Sequence, residues 1–212
     1  MNPIRIVLAD DHRLFLDTLK NFLEPEFEVV GTFTDGLALV RNAPKLNPDV
    51  IVLDIGMPLM NGLNAGQRLK ERLPKTKLIY LTMNIDREMA EEAFRLGASA
   101  YVVKSSAGHE LVDAIHQTLR GKSYITALLT EGVVGSFIQN IKRKQNPNKL
   151  SLRQREVLQL LAEGRTMKEV AFMLNLSQRT VAFHKYSMME QLRLKNSAEL
   201  IQFAVKNSIV VA

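Results

Sequence analysis

The first 120 residues alternate short β-branched runs with longer segments of helical periodicity, and this alternation constrains the fold more than any other feature. Five runs are predicted strands, at residues 4–9, 28–32, 50–53, 78–81 and 100–103. Four of these contain four consecutive apolar residues, which is typical of strands covered on both faces. We therefore predict a doubly wound α/β unit of five βα repeats, with a parallel sheet of order 2-1-3-4-5.

The sequence from Ser151 onward is helical throughout, and helix-start signals divide it. Ser151, Thr166 and Asn196 each precede a Glu or Gln three residues later, and Ser177 offers a fourth N-cap. The predicted helices span residues 152–162, 167–174, 178–191 and 197–206. Because three residues separate the second helix from the third, this pair has the tight turn of a helix-turn-helix. We expect an all-α domain of four helices.

The chain therefore has three predicted parts, which are a first domain at 1–122, a linker at 123–148 and a second domain at 149–212. Within the linker, the apolar-rich stretch Tyr124–Ile141 favours one helix. Charge follows the division, since residues 1–122 contain 15 Lys and Arg against 16 Asp and Glu, a net charge of −1. The remaining 90 residues contain 13 against 6, a net charge of +7. This excess indicates either a phosphate-rich partner or a solvated basic surface.

Composition excludes several classes of site. The chain has no cysteine, which rules out disulfides, thiolate metal sites and cysteine nucleophiles and fits a reducing cytoplasm. The longest uninterrupted apolar run is the five residues Val170–Leu174, so we expect no membrane span. Acidic residues at Asp10 and Asp11 precede any apolar stretch of the kind found in signal peptides.

Charged and hydroxyl side chains follow the predicted strands at the point where each strand ends. They are Asp10, Asp11, Asp54, Thr82 and Lys104. The carboxyl ends of parallel strands meet at one edge of the sheet, so we expect these side chains to converge. Three adjacent carboxylates favour Mg²⁺, and a lysine with a hydroxyl favours an anion. Each residue alone is typical of a cap or a turn; together they predict a site for Mg²⁺ and a phosphoryl group, with an Asp as acceptor.

These residues resemble the receiver domain of bacterial two-component response regulators. The resemblance covers residues 4–120 and rests on Asp10-Asp11, on Asp54-Ile-Gly-Met-Pro58 followed by Gly62, and on Thr82, Tyr101 and Lys104. It implies a flavodoxin-like fold in which Asp54 accepts a phosphoryl group from the phosphohistidine of a sensor histidine kinase.

The resemblance also implies how the groups around Asp54 act. Asp11 and Asp54, with the main-chain carbonyl of Gly56, would bind Mg²⁺, and Asp10 would bind it directly or through water. Lys104 would neutralise the phosphoryl oxygens.

Three further residues have implied roles. Thr82 and Tyr101 would form a switch pair, in which the hydroxyl moves toward the phosphate and the ring turns inward. Gly62 permits either a positive φ or a close approach of the backbone.

Residues 149–212 resemble the four-helix DNA-binding domain of the LuxR/FixJ/NarL type. The resemblance rests on Leu150–Leu158, Leu161-Ala-Glu-Gly164, Lys168–Ala171 and Leu176–Val181 with His184. The resemblance implies that six residues contact phosphates or organise those contacts: Thr166, Lys168, Ser177, Arg179, Thr180 and His184. We expect Lys185 to add a further phosphate contact. Base-reading positions would be Ala182, Phe183 and Tyr186.

The base-reading positions are unusually apolar. Ala182 and Phe183 offer contact to a thymine methyl group but no side-chain hydrogen bond. Val181, Met188 and Leu192 would face the core of the domain. A contact of Phe183 with a partner helix or a second copy is an equally compatible alternative.

The combined resemblance predicts a response regulator transcription factor that takes part in its own phosphoryl transfer and is not a substrate-turnover enzyme. Its partners would be a sensor histidine kinase, double-stranded promoter DNA and a second copy of itself when phosphorylated, with RNA polymerase as a further candidate. One alternative is an Asp-nucleophile phosphohydrolase, which would leave the C-terminal domain unexplained. Another is a phosphorylation-independent DNA-binding protein, against which the intact acidic set argues.

Overall fold

The computed structural model describes residues 3–83, 85, 87–130, 150–207 and 209–210, and its N-terminal domain is built on one parallel sheet. The strands are β1 (Arg5–Ala9), β2 (Glu28–Phe33), β3 (Val50–Asp54), β4 (Lys77–Thr82), β5 (Ala100–Val103) and β6 (Tyr124–Ile125). They lie in the order β2-β1-β3-β4-β5-β6. The predicted order 2-1-3-4-5 is confirmed, and a sixth strand extends it.

Five helices cover the two faces of the sheet. They are α1 (Arg13–Leu23), α2 (Gly36–Leu46), α3 (Gly62–Arg72), α4 (Arg87–Arg95) and α5 (Ala107–Leu119). Helices α1 and α5 pack on one face, against a core that includes Ile6 and Leu8 of β1. Helices α2, α3 and α4 pack on the other, against a core that includes Val7 and Ala9. Successive strand residues thus feed both cores, which explains the continuous apolar runs.

The segment after α5 differs from its prediction. The sequence favours one helix over Tyr124–Ile141, but the structure begins this segment with β6, whose Tyr124 and Ile125 pair with Ala100 and Tyr101 of β5. A one-turn helix, α6 (Ala127–Thr130), follows. The rest of the predicted helix and the polar run at 142–149 lie outside the described residues. A strand replaces the start of the helix because the edge of β5 offers backbone partners that a local pattern does not reveal.

The C-terminal domain consists of four helices at the predicted bounds. They are α7 (Leu152–Ala162), α8 (Met167–Leu174), α9 (Gln178–Gln191) and α10 (Ser197–Lys206). Ser151 and Thr166 form complete capping boxes with Gln154 and Glu169. Because these signals involve residues close in sequence, they fix the helix starts without help from the rest of the fold. Across the described part of the chain, no helix combines the length and apolarity needed to cross a bilayer.

Candidate acidic pocket and nucleic-acid interface

Two buried carboxylates and one lysine meet at the carboxyl edge of the sheet. Asp10 directly follows β1 and is 1% exposed, and Asp54 is the last residue of β3. The Nζ atom of Lys104, which follows β5, lies 2.7 Å from Asp10 Oδ2 and 3.1 Å from Asp54 Oδ2. The strand order therefore brings these three side chains together as the sequence predicts.

Burial and neighbouring charges set the ionisation of Asp54. Burial raises the pKa of the Asp54 carboxyl most strongly, the ammonium of Lys104 lowers it, and the carboxylate of Asp10 raises it again. The backbone N–H of Gly56 donates to the Asp54 carboxylate and lowers the pKa further. The net result is a pKa above the ordinary value of 3.8. Burial therefore favours the protonated form of Asp54 more than the ammonium of Lys104 favours the ionised form.

This raised pKa predicts a stability effect. The folded state binds the Asp54 proton more tightly than the unfolded state does, so ionisation at neutral pH opposes folding. In metal-free buffer, Asp54→Asn should therefore raise the melting temperature at neutral pH by roughly a few °C. The difference should shrink as pH falls through the folded pKa and vanish below 3.8, the unfolded value. Calorimetry across this pH range tests it, and a constant difference would contradict the shift.

Asp11 and His12 extend the pocket toward solvent. His12 Nδ1 lies 2.9 Å from Asp11 Oδ1 and 3.3 Å from Asp10 Oδ1, and the His12 backbone N–H donates to Asp10 Oδ1. One ligand atom from each of these three residues lies within 4.8 Å of the others. Sequence reasoning missed His12, whose only signal is its place directly after two acids. The oxygen-rich donor set, with its uncompensated charge, fits a hard divalent cation such as Mg²⁺.

The remaining pocket residues lie on β4 and β5. Thr82 ends β4 and is buried, one residue beyond Leu81, which pairs with Asp54. Tyr101 pairs with Tyr80 on β4, and its ring is fully buried in the core beneath α2, α3 and α4.

Gly62, at the start of α3, is required by a close approach of the backbone. A Cβ atom built there would lie 2.1 Å from the main-chain oxygen of Asp54. The close approach, one of the two alternatives that the sequence leaves open, therefore explains this glycine. It places the N-terminus of α3 against the backbone of Asp54, at the end of β3.

Hydroxyl side chains organise the start of α9. Ser177 Oγ accepts the backbone N–H of Thr180 at 3.0 Å and lies 2.8 Å from Thr180 Oγ1. Thr166 caps α8 in the same way, and Lys168 in its first turn is exposed. The two helix starts thus present backbone N–H groups, hydroxyls and a lysine, which are groups that bind phosphate.

The outward face of α9 carries Arg179, Phe183 and Tyr186, which are all exposed. Val181 and Met188 are fully buried in the domain core, as the helical spacing predicts. Leu192 is partly buried against the same core, and Ala182 is of intermediate exposure.

Two further α9 residues flank this face. Burial, with a smaller contribution from Arg153, lowers the pKa of the His184 imidazole and so favours its neutral form. Lys185 Nζ lies 5.7 Å from the ring centroid of Tyr186, which is within cation–π range.

Contacts between the two domains add a feature that no sequence pattern predicts. Helix α7 lies against the loop after β3. Gln159 Nε2 donates to the Met57 carbonyl at 2.9 Å, and the Asn61 N–H donates to Gln159 Oε1 at 2.7 Å. The Glu163 carboxylate accepts the Leu59 N–H at 3.1 Å. The contacted part of this loop begins at Met57, three residues after Asp54, so the pocket and α7 share one stretch of backbone.

Leu59 shows how closely that loop is tied to the second domain. Its φ of 65° lies in the left-handed region, which costs a non-glycine residue about 1–2 kcal/mol. Its side chain packs against the core of the C-terminal domain. The interdomain contact thus offsets the strain of this conformation.

A buried carboxylate anchors the same contact. Glu156 is 0% exposed, and its carboxylate lies 2.6 Å from Arg68 Nε on α3 and 2.8 Å from Arg153 Nη1 on α7. Arg155 adds a second link, 3.3 Å from Glu92 on α4. Buried charges need such partners, so the domains are held in a specific pose.

Comparisons with known families match this geometry. Residues 6–116 match the response regulator receiver domain family, which alone covers more than half of the chain. Residues 148–204 match the luxR family of bacterial regulatory proteins.

Comparisons with individual proteins extend over the whole chain. The oxygen regulatory proteins NreC of Staphylococcus carnosus and Staphylococcus epidermidis are each 34% identical, and each alignment covers 98% of this chain and 99% of the relative. The RcsB response regulator of Salmonella typhimurium superposes with a TM-score of 0.66 at 29% identity and 100% coverage of both chains. An RcsB–DNA complex superposes with a TM-score of 0.58 at 29% identity, covering 95% of this chain and 98% of RcsB. The chain therefore belongs to the response regulators of the NarL/FixJ type, transcription regulators in which a receiver domain precedes a LuxR-type helix-turn-helix domain.

Proposed function

We propose that this protein is a phosphorylation-switched transcription factor. Asp54 accepts a phosphoryl group from a sensor histidine kinase, and the phosphorylated chain dimerises and binds promoter DNA in the cytoplasm. The observation that carries the proposal is the contact of Lys104 Nζ with both Asp10 and Asp54 in a buried pocket. A carboxylate nucleophile beside a fixed ammonium and a second acid suits phosphoryl transfer, which needs positioning and charge neutralisation.

In the proposed transfer, Asp54 Oδ forms a bond to phosphorus while the bond from phosphorus to the donor nitrogen breaks. Lys104 neutralises charge on the phosphoryl oxygens, as its distance to Asp54 permits. Asp10, Asp11 and Asp54, with the main-chain carbonyl of Gly56, would hold Mg²⁺. When bound, the ion adds positive charge beside the transferring group.

The state of Asp54 would be read by the switch pair of Thr82 and Tyr101. Thr82 ends the strand beside Asp54, so its hydroxyl needs to move little to reach a phosphoryl group on Asp54. The fully buried Tyr101 ring on the next strand would repack with it. In this proposal, repacking near β4 and β5 favours dimerisation, consistent with the solved structure of two RcsB dimers bound to two parallel DNAs.

The C-terminal domain would bind DNA with α9 in the major groove. Phosphates would be contacted or organised by Thr166, Lys168, Ser177, Arg179, Thr180, His184 and Lys185, and bases would be read by Ala182, Phe183 and Tyr186. The exposure of the outward face of α9 and the similarity to DNA-bound RcsB support this assignment. The proposed domains span 1–122 and 149–212, and the segment 123–148 between them begins with β6, the edge strand of the receiver sheet. RNA polymerase remains a candidate partner for the bound dimer.

DNA binding by the full chain tests this function. Affinity for genomic duplex fragments should rise with a small phosphodonor and Mg²⁺ and fall steeply with salt. Lys168→Ala should weaken binding to all duplexes and reduce the slope of log K against log salt by about 1. Lys45→Ala, at an exposed lysine of the receiver domain, is the matched control and should bind like wild type. Fluorescence anisotropy measures both effects, and a slope unchanged in Lys168→Ala would remove this residue from the phosphate contacts.

A further inference from the structure

Helix α9 exposes two large aromatic side chains that lie outside the core of its own domain. Phe183 is 68% exposed and Tyr186 is 59% exposed. On the opposite face, Val181 and Met188 already fill the core at full burial. An exposed pair of rings on one helix face is a surface that gains free energy when a partner covers it.

The charge around the two rings identifies the chemistry of that partner. Arg179 precedes Phe183 by one turn, Lys185 lies between the rings in sequence, and Lys168 is exposed on the preceding helix. The first acid along the α9 sequence is Glu190, beyond both rings. The last 90 residues also have a net charge of +7. These basic surroundings favour a polyanion over an apolar protein helix as the partner of the two rings. Duplex DNA, with apolar groups at the base edges and phosphates beside them, has the complementary pattern.

The side chains at the centre of this face lack the groups that read most bases. Guanine is read by Arg or Lys forks, and adenine by Asn or Gln amides. Ala182 and Phe183 have no polar side-chain atom, and Tyr186 has one hydroxyl. In the major groove, the C5-methyl group of thymine is the apolar feature of a base edge. An apolar reading face therefore matches thymine.

We propose that α9 selects its half-site chiefly through contacts of Phe183 and Tyr186 with thymine C5-methyl groups. This specificity rests on the proposed DNA-binding function and adds the base feature that is recognised. The basic residues Lys168, Arg179 and Lys185 then supply affinity that does not depend on the DNA sequence. The two rings discriminate thymine from the other bases.

Deoxyuridine tests the inference, because it keeps every hydrogen-bonding group of thymidine and lacks the methyl group. The full chain first selects a duplex from a random-sequence pool. Each thymine in the selected duplex is then replaced singly by deoxyuridine, and binding is measured by fluorescence anisotropy. At contacted positions the affinity should fall about fourfold, which corresponds to the roughly 0.8 kcal/mol of one buried methyl-sized group.

Phe183→Ala supplies the second arm. This variant should bind more weakly and lose sensitivity to deoxyuridine at the positions that Phe183 contacts, while sensitivity at the Tyr186 positions persists. Deoxyuridine placed outside the bound half-sites is the control and should leave the affinity unchanged. A wild type that binds no duplex would overturn the proposed function itself. A wild type that binds, but selects no thymine or tolerates deoxyuridine everywhere, would overturn only the thymine reading.

Discussion

Asp54→Asn is expected to abolish labelling of the protein by a small phosphodonor in the presence of Mg²⁺. The amide oxygen of Asn has no negative charge with which to attack phosphorus. Intact-protein mass spectrometry should show a phosphorylated species for the wild type and none for the variant. Chelation of Mg²⁺ should suppress labelling of the wild type as well.

The control for this experiment is Asp17→Asn, at an exposed aspartate on α1 that is distant from Asp54 in the sequence. It removes the same charge from the chain and should label like the wild type. Equal labelling of Asp54→Asn and wild type would show that another residue is the acceptor, whatever the fate of the DNA-binding assignment.

Arg68→Ala is expected to loosen the contact between the two domains. The substitution leaves the fully buried carboxylate of Glu156 with Arg153 as its remaining described ion-pair partner. Loss of one partner of a buried pair costs about 3–5 kcal/mol. Arg68 is 33% exposed, so we expect the substitution to cost about 2–3 kcal/mol of stabilising free energy. This loss should weaken the interface between the domains rather than the core of either domain. Small-angle scattering should report a larger radius of gyration, and calorimetry should resolve separate unfolding of the two domains.

Two further variants make this result specific. Glu71→Ala removes an exposed charge from the same helix and should leave scattering and unfolding unchanged. Arg68→Met combined with Glu156→Met leaves neither group of the interdomain pair charged. The double variant should therefore lose less interdomain stability than Arg68→Ala alone. Wild-type behaviour of Arg68→Ala would mean that the ion pair does not hold the domains together.

The sequence predicts those features whose signals are local. The strands β3 and β4 can be predicted from their apolar runs, because both faces of the sheet are covered. The helix starts at Ser151 and Thr166 can be predicted because each cap pairs with a residue three positions away. The acidic pocket is predictable for a related reason. Once the strand order is known, Asp10, Asp54 and Lys104 fall at one edge.

The features that the sequence does not predict depend on distant partners. β6 is two residues long, too short for any periodicity, and it exists because β5 offers it an edge. Glu156 and Gln159 have the polarity of solvent-facing helix residues, yet both are buried, because their partners lie 88 to 102 residues away. No pattern within a helix can indicate such pairings.

The pose of the two domains limits how the receiver can govern transcription. The receiver contacts α7 of the C-terminal domain, and within the described residues Phe183 and Tyr186 on α9 stay exposed. In the proposed function, control would run through the stretch of main chain that links Asp54 to the α7 contacts. Thermodynamic reciprocity would then work in both directions: whatever phosphorylation of Asp54 transmits to the DNA-binding domain, engagement of a promoter would return to the chemistry at Asp54.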